Sequence, residues 1–422
     1  MSQMGDRPNL PVSAARIAQD IDALAAITEP GRPWTRRAFS TLHLEGRAWL
    51  TERFRAAGLE TRIDASGNLI GRRAGRKPGS GTLMLGSHSD TVPDGGRFDG
   101  IAGVVAALEV ARSLADAGIE LNHDLEIVDF LAEEVSIFGV SCIGSRGMAG
   151  VRPPEWLERQ ADGMTLSQGL VAAGGSENSG PPRRNIKVFL ELHIEQGPVL
   201  ATEKRDIGIV TAISGIARIE IVVEGRADHA GTTPMGARRD ALVAASKLVL
   251  GIEHLATDLS RQPRHFAATV GEFAMLPNAA NVVPSNVRLL VDIRSELRED
   301  LDTFAAALSE LCTSVAKGDH ADISLRQISD APAVRMDTGI GTMLAGAVER
   351  LGGSHRQLAS GAGHDAAFLA RISRAAMIFI PCLNGRSHAP EELAENDDIA
   401  FGAAVLFETV RALDRQISGR DV

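Results

Sequence analysis

The residues with the most chemical capacity in this chain are His88 and Asp90 in the run Gly86-Ser-His-Ser-Asp-Thr-Val-Pro, Asp99 before Gly100, the adjacent acids Glu133 and Glu134, then His193 and His388. Neutral imidazole nitrogens and carboxylate oxygens are the ligands that zinc, manganese or nickel accept in catalytic sites. Together these residues are the inventory of a two-metal hydrolytic centre. A carboxylate two residues after a histidine can orient a metal-bound imidazole from behind, which would be the part of Asp90; a polar turn explains the same pair equally well. Asp99 can bridge two cations, or simply cap the helix that follows. Of the Glu pair, one acid can bind metal while its neighbour takes a proton from an activated water and returns it to a leaving amine. Taken alone, such a pair is more commonly solvated surface.

A second set lies further along: Gln196 in His193-Ile-Glu-Gln-Gly-Pro, His229-Ala-Gly-Thr-Thr-Pro234, Asn278, Asn281 and Arg294. His229 or Asn281 can stabilise an oxyanion, and Arg294 can grip a carboxylate through two parallel N–H groups or make a domain salt bridge. Gly361-Ala-Gly363-His364-Asp365 is a Gly-rich turn able to offer backbone N–H groups, without the strand, Gly-rich loop and lysine of a nucleotide loop. His43, His123, His254, His265, His320 and His355 sit in polar or helical settings and read as surface.

The elements that must position these groups follow from periodicity. Residues 12–28 and 42–57 carry helical spacing, and Thr82-Leu-Met-Leu-Gly86 is a continuous apolar run typical of a strand buried on both faces. His88 falls just beyond that strand, where open α/β sheets place ligands. Ile101–Ala117 is an almost wholly apolar helix. Strands at Leu125–Leu131 and Lys187–Leu192 lead to the Glu pair and His193, so three strands end in ligand-type residues at the rim of a mostly parallel sheet. From about residue 212 the texture changes to strand, helix, strand, strand, helix, strand, ending at Ala321–Arg326, a split βαβ sandwich of about 115 residues. Helix, strand and helix then resume at 339–351, 375–380 and 398–413. The expected organisation is a catalytic α/β domain in two parts, 1–211 and 329–422, with an inserted α+β domain at 212–328.

Composition agrees with a globular enzyme. The chain has 422 residues, 44% hydrophobic, and a formal net charge of −10 spread along its length, which argues against nucleic-acid binding. Arg72-Arg73 and Arg183-Arg184 are too short to be more than solvated loops, and three distant cysteines imply neither disulfides nor a Cys-based metal site. With no run of about 20 apolar residues to cross a membrane and no signal-peptide pattern, a cytoplasmic setting is expected.

In this order the motifs resemble the M20 metallopeptidase-like amidohydrolases, and most closely their N-carbamoyl-L-amino-acid hydrolase, β-ureidopropionase and allantoate amidohydrolase branch. The matching pieces include Gly86–Pro93, Gly95–Gly103, Glu133-Glu134, Leu192-His-Ile-Glu-Gln-Gly-Pro198, His229–Pro234, Pro277–Pro284, Gly361–Asp365 and Ser387-His388, spanning nearly the whole chain. The resemblance implies a zinc-exopeptidase-like catalytic domain with a ferredoxin-like inserted domain that acts as a lid and dimerises. It implies two divalent ions (zinc, or manganese, cobalt or nickel): one on His88, Asp99 and His193, the other on Asp99, Glu134 and His388, with Asp99 bridging. Glu133 would be the general base and Asp90 the support of His88. Gln196, His229, Asn281, Arg294, Gly363 and His364 would contact a small carboxylate-bearing ureido or amide substrate, with Arg294 on its α-carboxylate. The implied reaction is hydrolysis of an N-carbamoyl-L-amino acid to amino acid, ammonia and carbon dioxide. Allantoate hydrolysis and removal of an acyl group from an amino acid are close rivals, and a non-catalytic binding protein on the same fold is the different-class alternative. After Glu134 the branch usually shows Gly-Ser-Arg-Phe, whereas this chain has Val135-Ser-Ile137-Phe.

Overall fold

A computed structural model describes residues 10–262 and 264–419. The chain forms two compact units, one of residues 1–211, 336–357 and 364–422, the other of residues 212–335 and 358–363.

The first unit begins with helices α1 (Ala14–Ala25) and α2 (Thr41–Ala56) and strands β1 (Glu60–Ile63), β2 (Leu69–Arg73) and β3 (Thr82–His88). Helix α3 (Ile101–Asp116), β4 (Asp124–Phe130), α4 (Ile143–Met148), the hairpin β5 (Gln160–Ala161) and β6 (Met164–Thr165), and α5 (Leu166–Ala172) follow. Then come β7 (Ile186–Ile194), α6 (Val199–Glu203) and β8 (Ile207–Ile213), in which the chain crosses to the second unit. That unit holds β9 (Gly215–Glu224), α7 (Ala241–Ser260), β10 (Phe266–Leu276), β11 (Asn286–Ser295), α8 (Arg298–Asp319), β12 (Asp322–Ala331) and β13 (Val334–Arg335). The remainder is α9 (Thr338–Arg350), β14 (His355–Ser360), α10 (Ala366–Leu369), β15 (Arg374–Ile380) and α11 (Asn396–Ser418).

The large sheet runs β1-β2-β4-β3-β7-β15-β8-β13, with β14 also on β8. Its centre, β4-β3-β7-β15, is parallel, while β1, β2, β8 and β13 add antiparallel pairs at the flanks. Central parallel strands are covered on both faces, which is why β3 is buried at every residue and α3 is apolar nearly all round. Gly103 allows α3 to lie this close: a Cβ there would strike the Leu192 carbonyl and the Ser87 side chain. The core of this unit joins Ile17, Ile21, Leu24, Leu50 and Phe54 from α1 and α2 to α3, the central strands and α11.

The second unit has a four-stranded antiparallel sheet in the order β10-β11-β9-β12, with α7 and α8 packed on one face. Along β11, Val287, Leu289, Val291 and Ile293 are buried while Arg288, Asp292 and Arg294 lie on the opposite, more open face. This unit ends later than the sequence pattern predicts, at Arg335 rather than 328, and it also takes in residues 358–363. The reason is the ladder between β12 and β9, which continues past an irregularity at Gln327/Ser329 to Ala331.

Other expectations change as well. His43 and His123 are buried, not surface: His43 lies on the inner face of α2 with Gly46, Arg47, Leu50 and Phe54, and His123 pairs with Asp414 at 2.7 Å. Arg72 and Arg73 belong to β2 and not to a loop; Arg183 and Arg184 do lie in a loop, where Arg184 is exposed but Arg183 binds buried Glu126 at 2.7 Å. Among the described residues, no helix is long and apolar enough to cross a membrane, and all three cysteines are free and buried.

Candidate metal centre and active site

His88 is the last residue of β3, and His193 lies inside β7 rather than after it, one position before its end. The Glu pair follows β4 through Leu131 and Ala132, and Ala132 has a positive φ of 54°. The rim of the parallel strands thus supplies three of the candidate groups, and loops supply Asp99 and His388.

Both buried histidines have their tautomers set by the backbone. His88 Nδ1 is 3.0 Å from the Asp90 carbonyl and His193 Nδ1 is 2.9 Å from the Ile194 carbonyl, so each Nδ1 carries the donated proton and each Nε2 keeps a lone pair. Those Nε2 atoms stand 3.5 and 3.4 Å from Asp99 Oδ1. Gly100 N–H approaches His193 Nε2 at 3.2 Å, whereas His88 Nε2 is buried without any hydrogen-bond partner. Asp99 Oδ2 is 3.6 Å from His388 Nε2, which in turn lies 3.0 Å from Glu134 Oε1. The ligand atoms of His88, Asp99 and His193, and those of Asp99, Glu134 and His388, lie within 4.8 Å of one another in two groups that share Asp99.

These residues fit a metal pair. Separations of 3.4–3.6 Å are long for hydrogen bonds. They suit atoms that share one ion, since ligands about 2.1 Å from a tetrahedral ion sit roughly 3.4 Å apart. An orphaned buried imidazole nitrogen facing a carboxylate completes the case.

Asp99 does not cap α3. Gly100 is the N-cap and no side chain caps the helix, so Asp99 Oδ1 faces His88 and His193 while Oδ2 also accepts the Ser387 hydroxyl at 2.8 Å. Gly100 has φ 64°, and a Cβ there would collide with the His88 ring, so glycine is required on both counts. Asp90 does more than the expected support of His88. Its carboxylate is 3.5 Å from His88 Nδ1, farther than its own carbonyl, and it accepts the N–H groups of Glu133 and Glu134 at 3.2 Å each. One buried carboxylate therefore fixes the Glu pair and stands behind the histidine.

Glu133 Oε2 is 3.6 Å from His88 Nε2, and its Oε1 accepts from the Cys142 thiol at 3.5 Å. Burial pushes the Glu133 carboxyl well above its usual range against the pull of His88, with Glu134 adding to the rise. Burial would also raise Asp99, but His193 and His88 outweigh it and hold that carboxyl well below the usual range. His388, hydrogen-bonded to Glu134, is raised to about 9.

Several contributors escape sequence reasoning. Glu392 accepts the N–H groups of Phe98 and Asp99 at 2.9 Å each and the Ser387 hydroxyl at 2.8 Å, tying the His388 loop to the Asp99 loop. Its only signal is that it follows Glu391. Glu191, a charge in the buried stretch of β7 between Leu190 and Leu192, accepts from Ser87 Oγ at 2.8 Å and Ala366 N at 3.0 Å. Asp365 is buried nearby in charge terms, its carboxyl pushed well up by burial and then by Glu191.

Of the residues expected to contact substrate, Gln196 donates to Asp99 Oδ2 at 2.5 Å. His364 is buried with its ring edge-on to His193 at 4.7 Å, and burial holds its pKa well below the ordinary value. In the second unit, exposed His229 pairs across a bridge with Val282 next to Asn281, whose carbonyl accepts Ala230 N–H at 3.0 Å. His229 Nδ1 accepts the N–H groups of Gly231 (3.0 Å) and Thr232 (3.2 Å), so a neutral ring presents Nε2–H outward. Arg294 lies on β11 and donates to Asp292 and to the Gly361 carbonyl, while Gly363 is exposed. Beside the Glu pair, Val135 is 60% exposed and Ile137 packs against a small core with Phe138.

Residues 84–412 match the Peptidase family M20/M25/M40. The chain is similar to an N-carbamoyl-L-amino-acid amidohydrolase of Paenarthrobacter aurescens, 35% identical over 408 residues covering 95% of this chain and 98% of the other. It is equally similar to a ureidoglycolate hydrolase of Arabidopsis thaliana, 35% identical over 419 residues covering 96% and 87%. Among solved structures, a hydantoinase/carbamoylase family amidase from Burkholderia multivorans is 37% identical, with a TM-score of 0.87 over 95% of this chain and 98% of that one. The chain belongs to peptidase family M20/M25/M40, and within it to the amidohydrolases.

Proposed function

We propose that this chain hydrolyses the carbamoyl group of an N-carbamoyl-L-amino acid, releasing the amino acid, ammonia and carbon dioxide. The observation that carries the reading is the pair of ligand groups sharing Asp99, with Glu133 beside them at 3.6 Å from His88 Nε2. His88, Asp99 and His193 would hold one divalent ion and Asp99, Glu134 and His388 the other. Such ions supply Lewis acidity, lowering the pKa of water and offsetting negative charge that develops on the substrate.

The remaining work falls to the chain. Glu133, raised by burial, is a carboxylate suited to taking a proton from water and delivering it to the departing nitrogen. Asp90 holds it in place through the Glu133 and Glu134 amides. His229 offers Nε2–H, and Asn281 its side-chain amide, to the oxyanion of the addition step. Arg294 takes the substrate carboxylate, and Gln196, Gly363 and His364 complete the surroundings of the reacting groups. A homodimer formed through the second unit, which would serve as a lid, is part of the same reading; light scattering of the purified chain tests it.

The test of the activity is a substrate panel with protein loaded in turn with zinc, manganese, cobalt and nickel. Ammonia release from N-carbamoyl-L-amino acids, exceeding that from allantoate and ureidoglycolate, is the expected result. Turnover of N-acyl-amino acids alone, without ammonia, would replace the carbamoyl reading with an acylase, and failure to bind any divalent ion would end the enzymatic one.

A further inference from the structure

Arg294 is not a free guanidinium. Asp292, two residues earlier on the same face of β11, accepts its Nε–H through Oδ1 at 2.8 Å, and the Gly361 carbonyl accepts from Nη1 at 2.8 Å. Asp292 is shared: it stands directly opposite Arg218 of β9, which donates Nε–H to Oδ2 at 3.0 Å. The guanidinium is thus held at Nε and at Nη1, on two sides of its plane of five donors. Both N–H groups of Nη2 and one of Nη1 stay available, enough for a two-point grip on another carboxylate.

We propose that Asp292 is a positioning residue that sets the plane of Arg294 for the substrate's carboxylate, with Arg218 as its counter-charge. A lone aspartate beside Arg294 would neutralise it and repel an incoming anion. Arg218 removes that conflict, since two guanidiniums and one carboxylate leave a net single positive charge. An arginine side chain loses much rotamer freedom when it binds, and holding it beforehand spares the complex that loss. Asp292 is 25% and Arg294 33% exposed, so the held group is still open to a ligand. This inference rests on the assignment of the substrate carboxylate to Arg294.

The test compares kcat and KM for an N-carbamoyl-L-amino acid and for its carboxamide, using the full metal-loaded chain as wild type, D292A, D292N, R218A and R294A. The wild type is expected to prefer the carboxylate. D292A should raise KM for the carboxylate substrate about tenfold, with kcat within about twofold and the carboxamide unaffected. D292N should restore part of the loss, because its amide oxygen still accepts the Nε–H. R218A should weaken the carboxylate substrate in the same direction. Added to R294A, D292A should cost nothing more. Should D292A fail to fold, D292N and R218A carry the comparison. A wild type indifferent to the carboxylate removes the role of Arg294, and that of Asp292 with it. A wild-type preference that D292A leaves intact, or a loss equal for both substrates, overturns the role of Asp292 alone.

Discussion

The two units treat carboxylates in opposite ways. On the open face of the second unit's sheet, Glu220 is clasped by Arg288 and Arg326 at 2.7 Å each, and Asp292 by Arg218 and Arg294. Both of these acids have their cations in the chain. In the first unit, Asp99, Glu133, Glu191 and Asp365 are buried together with histidines and hydroxyls and without arginine or lysine partners among their hydrogen bonds. Burying several carboxylates without cations is costly, and the group answers by shifting pKa values in both directions. The contrast teaches that Glu220 and Asp292 are neutralised within the chain, while the buried carboxylates of the first unit lack a cation of their own.

The largest expected effect breaks that contrast at Glu133. E133Q removes a charge and the proton carrier but leaves all five ligands, so it should keep its divalent ions while turnover falls by about 10²–10⁴-fold. Metal content by elemental analysis and steady-state kcat on the same preparation check it. Addition of zinc to chelator-treated protein should stabilise wild type and E133Q alike, by about 2.7 kcal/mol at a hundredfold excess over Kd. A variant with wild-type rates would take Glu133 out of the chemistry.

A smaller effect comes from a histidine buried beside an arginine. His43 is fully buried in the first unit; Phe39 N–H donates to its Nδ1 at 3.4 Å and Nε2 has no partner. Burial, then the charge of Arg47, lowers its pKa from 6.5 to about 3. Above pH 6.5 the folded and unfolded chains both carry a neutral ring, and the contribution to stability is whole. Between pH 6.5 and about 3 only the unfolded chain takes up the proton, so stability falls as pH falls, by up to about 1.4 kcal/mol per pH unit. Denaturant titrations of wild type and H43Q across that window should show the shallower slope in the variant, and parallel slopes would refute the assignment.

His43 also shows where sequence reasoning ends. The candidate metal ligands are legible because histidine or acid at the end of an apolar strand is an unusual choice that a sheet rim explains, as at His88 and His193. In the sequence Asp99 fits a cap and a bridge alike, because both readings place an acid before the same helix. Only the approach of the His88, His193 and His388 rings, from three distant stretches of chain, separates them. His43 is illegible for a related reason: Arg47, one turn on, suggests a wet face, yet Arg47 is itself buried, bonded to the Gly67 carbonyl and Asp129. Neither partner is near it in sequence. The order of elements in the second unit is legible from period-two alternation, but its end is not, since β12 persists only because β9 offers a ladder through Ile216.

The smallest expected effect tests whether the second unit's face is as self-sufficient as it looks. Glu220 joins Arg288 of β11 to Arg326 of β12 across β9, and Arg288 passes the chain of charges on to Glu272 at 2.7 Å. Its two guanidiniums are 42% and 71% exposed, so water already solvates them, and losing their acid strands no buried charge. E220Q should therefore leave the thermal midpoint close to that of wild type, and any difference at low salt should vanish near 1 M, where screening acts within about 3 Å. The contrast with the first unit would fail if E220Q were strongly destabilised at every ionic strength, because the face would then depend on a buried charge as the metal centre does.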